Sequence, residues 1–174
     1  MHIFLQGERN IGKSTIIRKT LALLAGSSPV PLGGFFTWKS GQDAPHVYIR
    51  PAAQARESEV YRLASWDFNV ERMIVDSQVF EREGAGMLGG CDGARLLIMD
   101  ELGVLESNAP NFRRVVLDAI AGEIPILGVL RVGGIPWHND IKSHPSVVLV
   151  DVTTDNRDSL PHELADRLSP LVLG

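Results

Sequence analysis

The chain has 174 residues, with 17 Lys and Arg against 21 Asp and Glu, a formal net charge of -4, 44% hydrophobic and 22% charged residues. That balance suits one globular domain over residues 1–174 with a sizeable core. Without a Lys/Arg cluster it disfavours a broad nucleic-acid footprint, while a small basic groove stays open. No apolar run reaches the roughly 18 residues of a membrane span, so no membrane partner is expected. Residues 1–5 are too short for the apolar core of a signal peptide, and the cytoplasm is the expected compartment. The single cysteine, Cys91, forms no internal disulfide and cannot alone hold zinc, so it reads as structural. Nothing in the sequence points to an oligomeric state.

The first predicted element is a short buried strand over residues 2–6. It runs into Gly7-Glu8-Arg9-Asn10-Ile11-Gly12-Lys13-Ser14-Thr15, a phosphate-loop pattern, and then into a helix with apolar residues at helical spacing up to Leu24. Strand, glycine loop and helix are the context that pattern needs. Backbone N–H groups of the loop and the helix N-terminus cradle phosphate oxygens. Lys13 then reaches the β- and γ-phosphates, and the Ser14 hydroxyl binds Mg²⁺. The whole stretch from Gly7 to Thr15 is taken as nucleotide-binding. Arg9 is expected to point outward and is left out of the catalytic set.

Gly and then Pro stop the first helix near residues 26–29. Residues 31–38 read as a turn into a strand, residues 41–45 as a break, and residues 46–49 as a second strand, making a hairpin. Residues 51–72 resist placement, and residues 56–64 fit a strand or a helix. A short strand over 73–75 is followed by Asp76-Ser77, a cap for a helix that carries Val79, Phe80, Met87 and Leu88 and stops at Gly89-Gly90. Residues 94–101 read as a buried strand ending in Asp100-Glu101. Pro110 opens a helix that Gly122 ends, and residues 124–130 form the next strand. Residues 131–145 contain a loop with room for a helical turn. A last strand over 146–152 and a helix over 158–168 complete the chain. Alternating strands and helices imply an α/β fold, with a mostly parallel central sheet and helices on both faces. Ligands bind outside the carboxyl ends of such strands, where the phosphate loop, Asp100-Glu101 and Arg131 gather.

The acidic pair adds chemistry to the loop. Asp100 is expected to hold Mg²⁺ opposite Ser14, and Glu101 to orient or deprotonate the attacking water. A second acid directly after the metal Asp fits hydrolysis better than transfer to an organic acceptor. Hydrolysis also needs positive charge on the transition state, from Lys13 and from Arg131, which otherwise reads as a loop anchor. Glu106 either faces the site or caps the next helix, and the nearby helix start favours the cap.

Asp100-Glu101-Leu102-Gly103-Val104-Leu105-Glu106 resembles the Asp-Glu-Ile-Gly-Lys-Met-Glu of the small nucleoside-triphosphatases that include the cancer-related nucleoside-triphosphatase and its thermophilic bacterial relatives. The phosphate loop, Gly34-Phe35-Phe36-Thr37, Val79-Phe80-Glu81 and Thr154-Asp155-Asn156-Arg157-Asp158 are similar to that family's motifs in the same order. The resemblance implies a RecA-like P-loop NTPase domain. It also implies Mg²⁺-dependent hydrolysis of ATP, GTP and other nucleoside triphosphates, with broad base tolerance. By the same analogy Asn156 and Arg157 lie beside the base; otherwise they are a helix cap and a surface arginine. The chain departs from the family at Glu8-Arg9-Asn10-Ile11, at Trp38-Lys39 where acids are usual, at Val104-Leu105 and across residues 41–72. These departures spare the phosphate and Mg²⁺ chemistry and bear on substrate preference. Two competing readings remain: a small P-loop kinase acting on a nucleotide or a nucleic-acid end, and a nucleotide-dependent switch that binds a partner through Trp137-His138.

Overall fold

In the computed structural model the described residues are 1–26, 29–40, 45–53 and 59–173. Eight strands form one sheet in the order β5-β4-β3-β2-β6-β7-β1-β8. The parallel part holds β1 (His2–Gln6), β2 (Leu32–Ser40), β6 (Leu96–Leu102), β7 (Ile126–Leu130) and β8 (Val147–Asp151). The apolar runs of β1, β6 and β7 are buried on both faces, as central parallel strands between helix layers must be, while β8 at the edge is half-buried.

Side-chain alternation divides the core in two. Leu96 and Ile98 of β6, with Ile3 and Leu5 of β1, pack under α1 (Lys13–Ala25) and α6 (Leu160–Val172). Leu97 and Met99 face the other way, with Phe4 and Phe35, toward Phe112, Val116 and Ile120 of α4 (Pro110–Ala121). That second layer includes Phe80 and Leu88 from a continuous helical stretch. The stretch comprises α2 (Ser77–Val79), a π-helical turn (Phe80–Gly84) and α3 (Ala85–Gly89), and Ile141 of α5 (His138–Lys142) joins the same layer. Gly128 has its place for a physical reason: a Cβ there would fall 2.5 Å from the buried Phe4 ring.

Strand–helix alternation does not extend to the middle of the chain. From β2 the sheet continues as an antiparallel meander through β3 (His46–Pro51), β4 (Tyr61–Asp67) and β5 (Arg72–Val75). The expected hairpin is therefore β2–β3, and residues 61–64 of the ambiguous segment are strand. Residues 54–58, 41–44 and 27–28 lie outside the described residues. The Asp76 side chain caps α2 as read, accepting from Gln78 N–H at 3.1 Å. The last helix starts at Leu160 and runs on to Val172, past the predicted end at 168.

Candidate active site

The carboxyl ends of β1, β6, β7 and β2 open onto a cavity of about 610 Å³, within the range of small-molecule sites. The phosphate loop forms one wall. Gly7 has φ 143°, and a Cβ on it would sit 2.6 Å from the Val152 carbonyl, so the loop leaves β1 only with glycine. Asn10 takes the left-handed region at φ 63°, which asparagine tolerates. Ile11 does not line the cavity; it packs against the apolar layer of α1 and α6. The other predicted loop residues, Gly7, Glu8, Arg9, Asn10, Gly12, Lys13, Ser14 and Thr15, do line it. No side chain caps α1, so its first N–H groups stay available to an anion at the cavity floor.

Lys13 folds back over this loop. Its Nζ donates to the Gly7 carbonyl at 2.9 Å and to the Glu8 carbonyl at 2.7 Å. Burial pushes its ammonium below the usual lysine value, and the carboxylates of Glu101 and Asp100 pull the other way.

The acidic strand forms the opposite wall. Ser14 Oγ donates to Asp100 Oδ1 at 3.0 Å, while Asp100 Oδ2 is buried with no hydrogen-bond partner. Asp100 is 1% exposed, and burial raises its pKa to about 6 against the opposing Ser14 hydrogen bond. A hydroxyl oxygen beside a carboxylate with one open oxygen fits a hard cation such as Mg²⁺, which completes its shell with water and phosphate oxygens. Among the described residues no group of three or more His, Cys, Asp and Glu makes a self-sufficient metal cage. The Asp100–Glu101 peptide is cis, and the β6–β7 pairing shifts register between Met99 and Leu102. Glu101 N–H donates to Thr37 Oγ1 at 3.1 Å, which ties the acid to β2, where Phe36 pairs with Asp100.

Beyond the acids the chain turns at Gly103, whose peptide is held on both sides. Glu106 Oε2 accepts from its N–H at 2.9 Å, and Trp137 Nε1 donates to its carbonyl at 3.3 Å. Glu106 thus faces the cavity and does not cap α4. It is 3% exposed, and burial raises its pKa to about 7. The cap of α4 comes from a distance: the Glu81 carboxylate accepts from Asn111 N–H at 3.3 Å and Phe112 N–H at 2.9 Å. Trp137 and His138 are buried, 7% and 1% exposed, which removes them as an exposed contact for a partner. Arg131 lines the cavity; its N–H donates to the Leu102 carbonyl at 2.9 Å and its stem lies against Gly103.

Asn156 and Arg157 do not line the cavity. Asn156 organises the turn after β8, accepting from Thr153 N–H and donating to the Asp151 carbonyl, both at 2.8 Å. Its side chain does not cap α6, whose N-cap is Ser159. Arg157 is exposed. The turn nonetheless adjoins the phosphate loop, since Val152 N–H donates to the Gln6 carbonyl at 2.8 Å. Cys91 is half-buried, donates to the Met87 carbonyl at 3.0 Å and has no place in the site. Sequence reading missed Thr37 as a support of Glu101, the inward aim of Glu106 and the capping role of Glu81. The first lay in its resemblance motif, and the other two depend on tertiary contacts alone.

A family model described as NTPase matches residues 2–165. The nucleoside-triphosphatase THEP1 of Thermofilum pendens is 30% identical, over 98% of this chain and 97% of its own length. The solution structure of a human cancer-related nucleoside triphosphatase is 25% identical and aligns with a TM-score of 0.74 over 97% of both chains. The crystal structure of THEP1 from Aquifex aeolicus shares the fold, with a TM-score of 0.79 over 97% of this chain and 99% of that one, at 22% identity. No helix among the described residues is long and apolar enough to cross a membrane.

Proposed function

The chain belongs to the NTPase family and is a nucleoside-triphosphatase, and from that premise we propose that the cavity binds Mg²⁺ with ATP, GTP or another nucleoside triphosphate and hydrolyses it to the diphosphate and phosphate. The observation that carries the mechanism is the Ser14–Asp100 hydrogen bond at 3.0 Å beside an open Asp100 oxygen, with Glu101 next in the chain. Ser14 and Asp100 would hold Mg²⁺, which when bound neutralises charge on the β- and γ-phosphates.

Lys13 exchanges the Gly7 and Glu8 carbonyls for phosphate oxygens, joined by the N–H groups of the loop and of α1. Glu101 orients a water in line with the γ-phosphorus and accepts its proton. The bond from the water oxygen to phosphorus forms as the bond to the bridging oxygen breaks, and the electron pair leaves on the diphosphate. Arg131, at the end of β7, offers charge to the transition state. Asn156 and Arg157 border the base from the turn after β8, supported by the contact of that turn with the start of the phosphate loop. The cytoplasm is the compartment we propose, supported by the composition and the single cysteine.

The test is phosphate release from ATP and GTP with Mg²⁺ and no added acceptor, in the wild type and in Glu101→Gln. The variant should bind nucleotide as before and lose about 10²-fold or more in kcat. Unchanged turnover would remove Glu101 as the base. Release that requires an added phosphoryl acceptor would replace water as the acceptor in the scheme.

A further inference from the structure

Lys39 stands where the resembled family usually carries an acid, and its position in the fold gives that exchange a consequence. On β2, residues 35, 37 and 39 share one face of the sheet by strand alternation. Phe35 is buried in the α4-side core, and Thr37 accepts from Glu101 N–H at 3.1 Å. Lys39 is the next residue on that face and is paired in register with Val47 of β3. Both Lys39 and Val47 line the cavity that Lys13, Asp100 and Glu101 line.

Three other cations meet Lys39 across this space. Lys13 and Arg9 come from the phosphate loop, and Arg131 from the end of β7. Arg9 and Arg131 are close enough to depress the Lys39 pKa, after burial, while Glu101 acts in the opposite direction. Among the described residues neither Arg9, Lys39 nor Arg131 makes an ion pair closer than 4.0 Å, whereas Arg114 pairs with Asp118 elsewhere. These cations repel one another, an effect that Glu101 offsets only in part at Lys39, and a polyanion between them relieves the remainder. The phosphate loop sets which part of the polyanion arrives there. On the hydrolytic reading the loop holds the phosphates against Ser14 and Asp100, and Lys39, two residues past the Thr37 that binds Glu101 N–H, lines the β2 side of the cavity where the terminal phosphate and the attacking water would sit.

We propose that Lys39 is a further phosphate-contacting residue, whose ammonium closes on the γ-phosphate from the β2 side and stabilises the charge that develops there during hydrolysis. The proposal rests on the hydrolytic reading above. It assigns to a lysine of this chain a function that its position on β2, beyond Thr37, makes possible.

The experiment compares wild type, Lys39→Ala, Lys39→Met and Lys39→Arg by calorimetric titration with ADP and with a non-hydrolysable ATP analogue, Mg²⁺ present, and by steady-state phosphate release. Lys39 is exposed, so the four proteins should melt together, and Lys39→Met keeps the apolar stem if Lys39→Ala does not. Lys39→Ala and Lys39→Met should weaken the triphosphate analogue by about tenfold and lower kcat/KM by about 10–100-fold, with ADP affinity held within about twofold. Lys39→Arg should recover most of both losses. Equal weakening of ADP and the analogue, or no change in either, would overturn the proposal. The binding comparison needs no turnover, so a wild type that binds the analogue without releasing phosphate would fail the hydrolytic scheme and still decide the role of Lys39.

Discussion

Replacing Glu106 with Gln separates what burial of this carboxyl costs from what its hydrogen bond contributes. Glu106 is 3% exposed, and its carboxyl accepts from Gly103 N–H at 2.9 Å. Burial raises its pKa from 4.5 to about 7, because water no longer solvates the charge; Glu101 adds to the rise, while backbone hydrogen bonds and Arg131 oppose it. The folded protein therefore binds this proton more tightly than the unfolded chain does. The stabilisation is full below pH 4.5 and is lost as pH rises through about 7. At 1.36 kcal/mol per pH unit the total is about 3 kcal/mol. Glutamine keeps an oxygen for Gly103 N–H and never ionises. Its amide N–H groups add an energy that does not vary with pH, so they displace the difference curve without bending it. Urea denaturation of both proteins at pH 5, 6, 7 and 8, without nucleotide, gives the stability difference at each pH. The variant should gain on the wild type as pH rises, by about 2.5 kcal/mol between pH 5 and 8, with most of the gain between pH 5 and 7. A difference that stays flat from pH 5 to 8 would show that Glu106 ionises as easily folded as unfolded, and the account of its burial would fail.

Two further substitutions test the scaffold. Gly128→Ala places a Cβ 2.5 Å from the buried Phe4 ring and should cost about 1–3 kcal/mol in urea denaturation; a loss under about 0.5 kcal/mol would mean that the ring has room to move. Glu81→Ala removes the carboxylate that accepts from Asn111 and Phe112 N–H, and should cost about 1–2 kcal/mol by the same measurement, with Glu81→Gln intermediate; no loss would show that α4 starts without a cap.

The parallel half of the sheet was legible because its strands carry their own punctuation. Residues 2–6 and 96–99 are apolar runs that stop at a glycine loop and at acids, and both are strands ending at the cavity. The meander was harder. In β4 the buried Leu63 and Ala64 are adjacent, so it lacks the clean period-2 pattern of a half-buried strand, while the short apolar run over 73–75 reads correctly as β5. Within the site, Lys13, Ser14, Asp100 and Glu101 were marked by motifs, and all four line the same cavity at the strand ends. Glu106 was misread because a carboxylate four residues before Pro110 has a plausible use on that helix. What withdraws it from the helix is the Gly103 N–H, three residues earlier, at the turn out of β6. Trp137, flanked by Pro136 and His138 in a loop, looks exposed in the sequence although a tryptophan more often packs locally; it sits in the α4-side core with its indole N–H on the Gly103 carbonyl.

The four-residue insert of the phosphate loop and the extra strands beyond β2 answer the same mechanical need from opposite walls. A loop that must present N–H groups to phosphates cannot be held by hydrogen bonds to those groups, so it has to be anchored by other means. Ile11 anchors it through the apolar layer under α1 and α6. Asn10 sets its turn by taking the left-handed region, and Lys13 ties the Gly7 and Glu8 carbonyls together from the cavity side. The facing wall is the carboxyl end of β2. At a sheet edge that end would have one neighbour and would fray. With β3 paired from Phe35 to Ser40 on one side and β6 paired up to Phe36 on the other, it projects past Asp100 without losing its partner. Thr37 and Lys39 sit on that projecting segment. A rigid strand that overhangs the acids is a better platform for a charge-bearing side chain than a loop, because fewer conformations must be given up when phosphate binds. The antiparallel extension therefore has a use at the site although only Val47 and Leu63 of its strands touch the cavity: it holds β2 out past the acids, over the cavity.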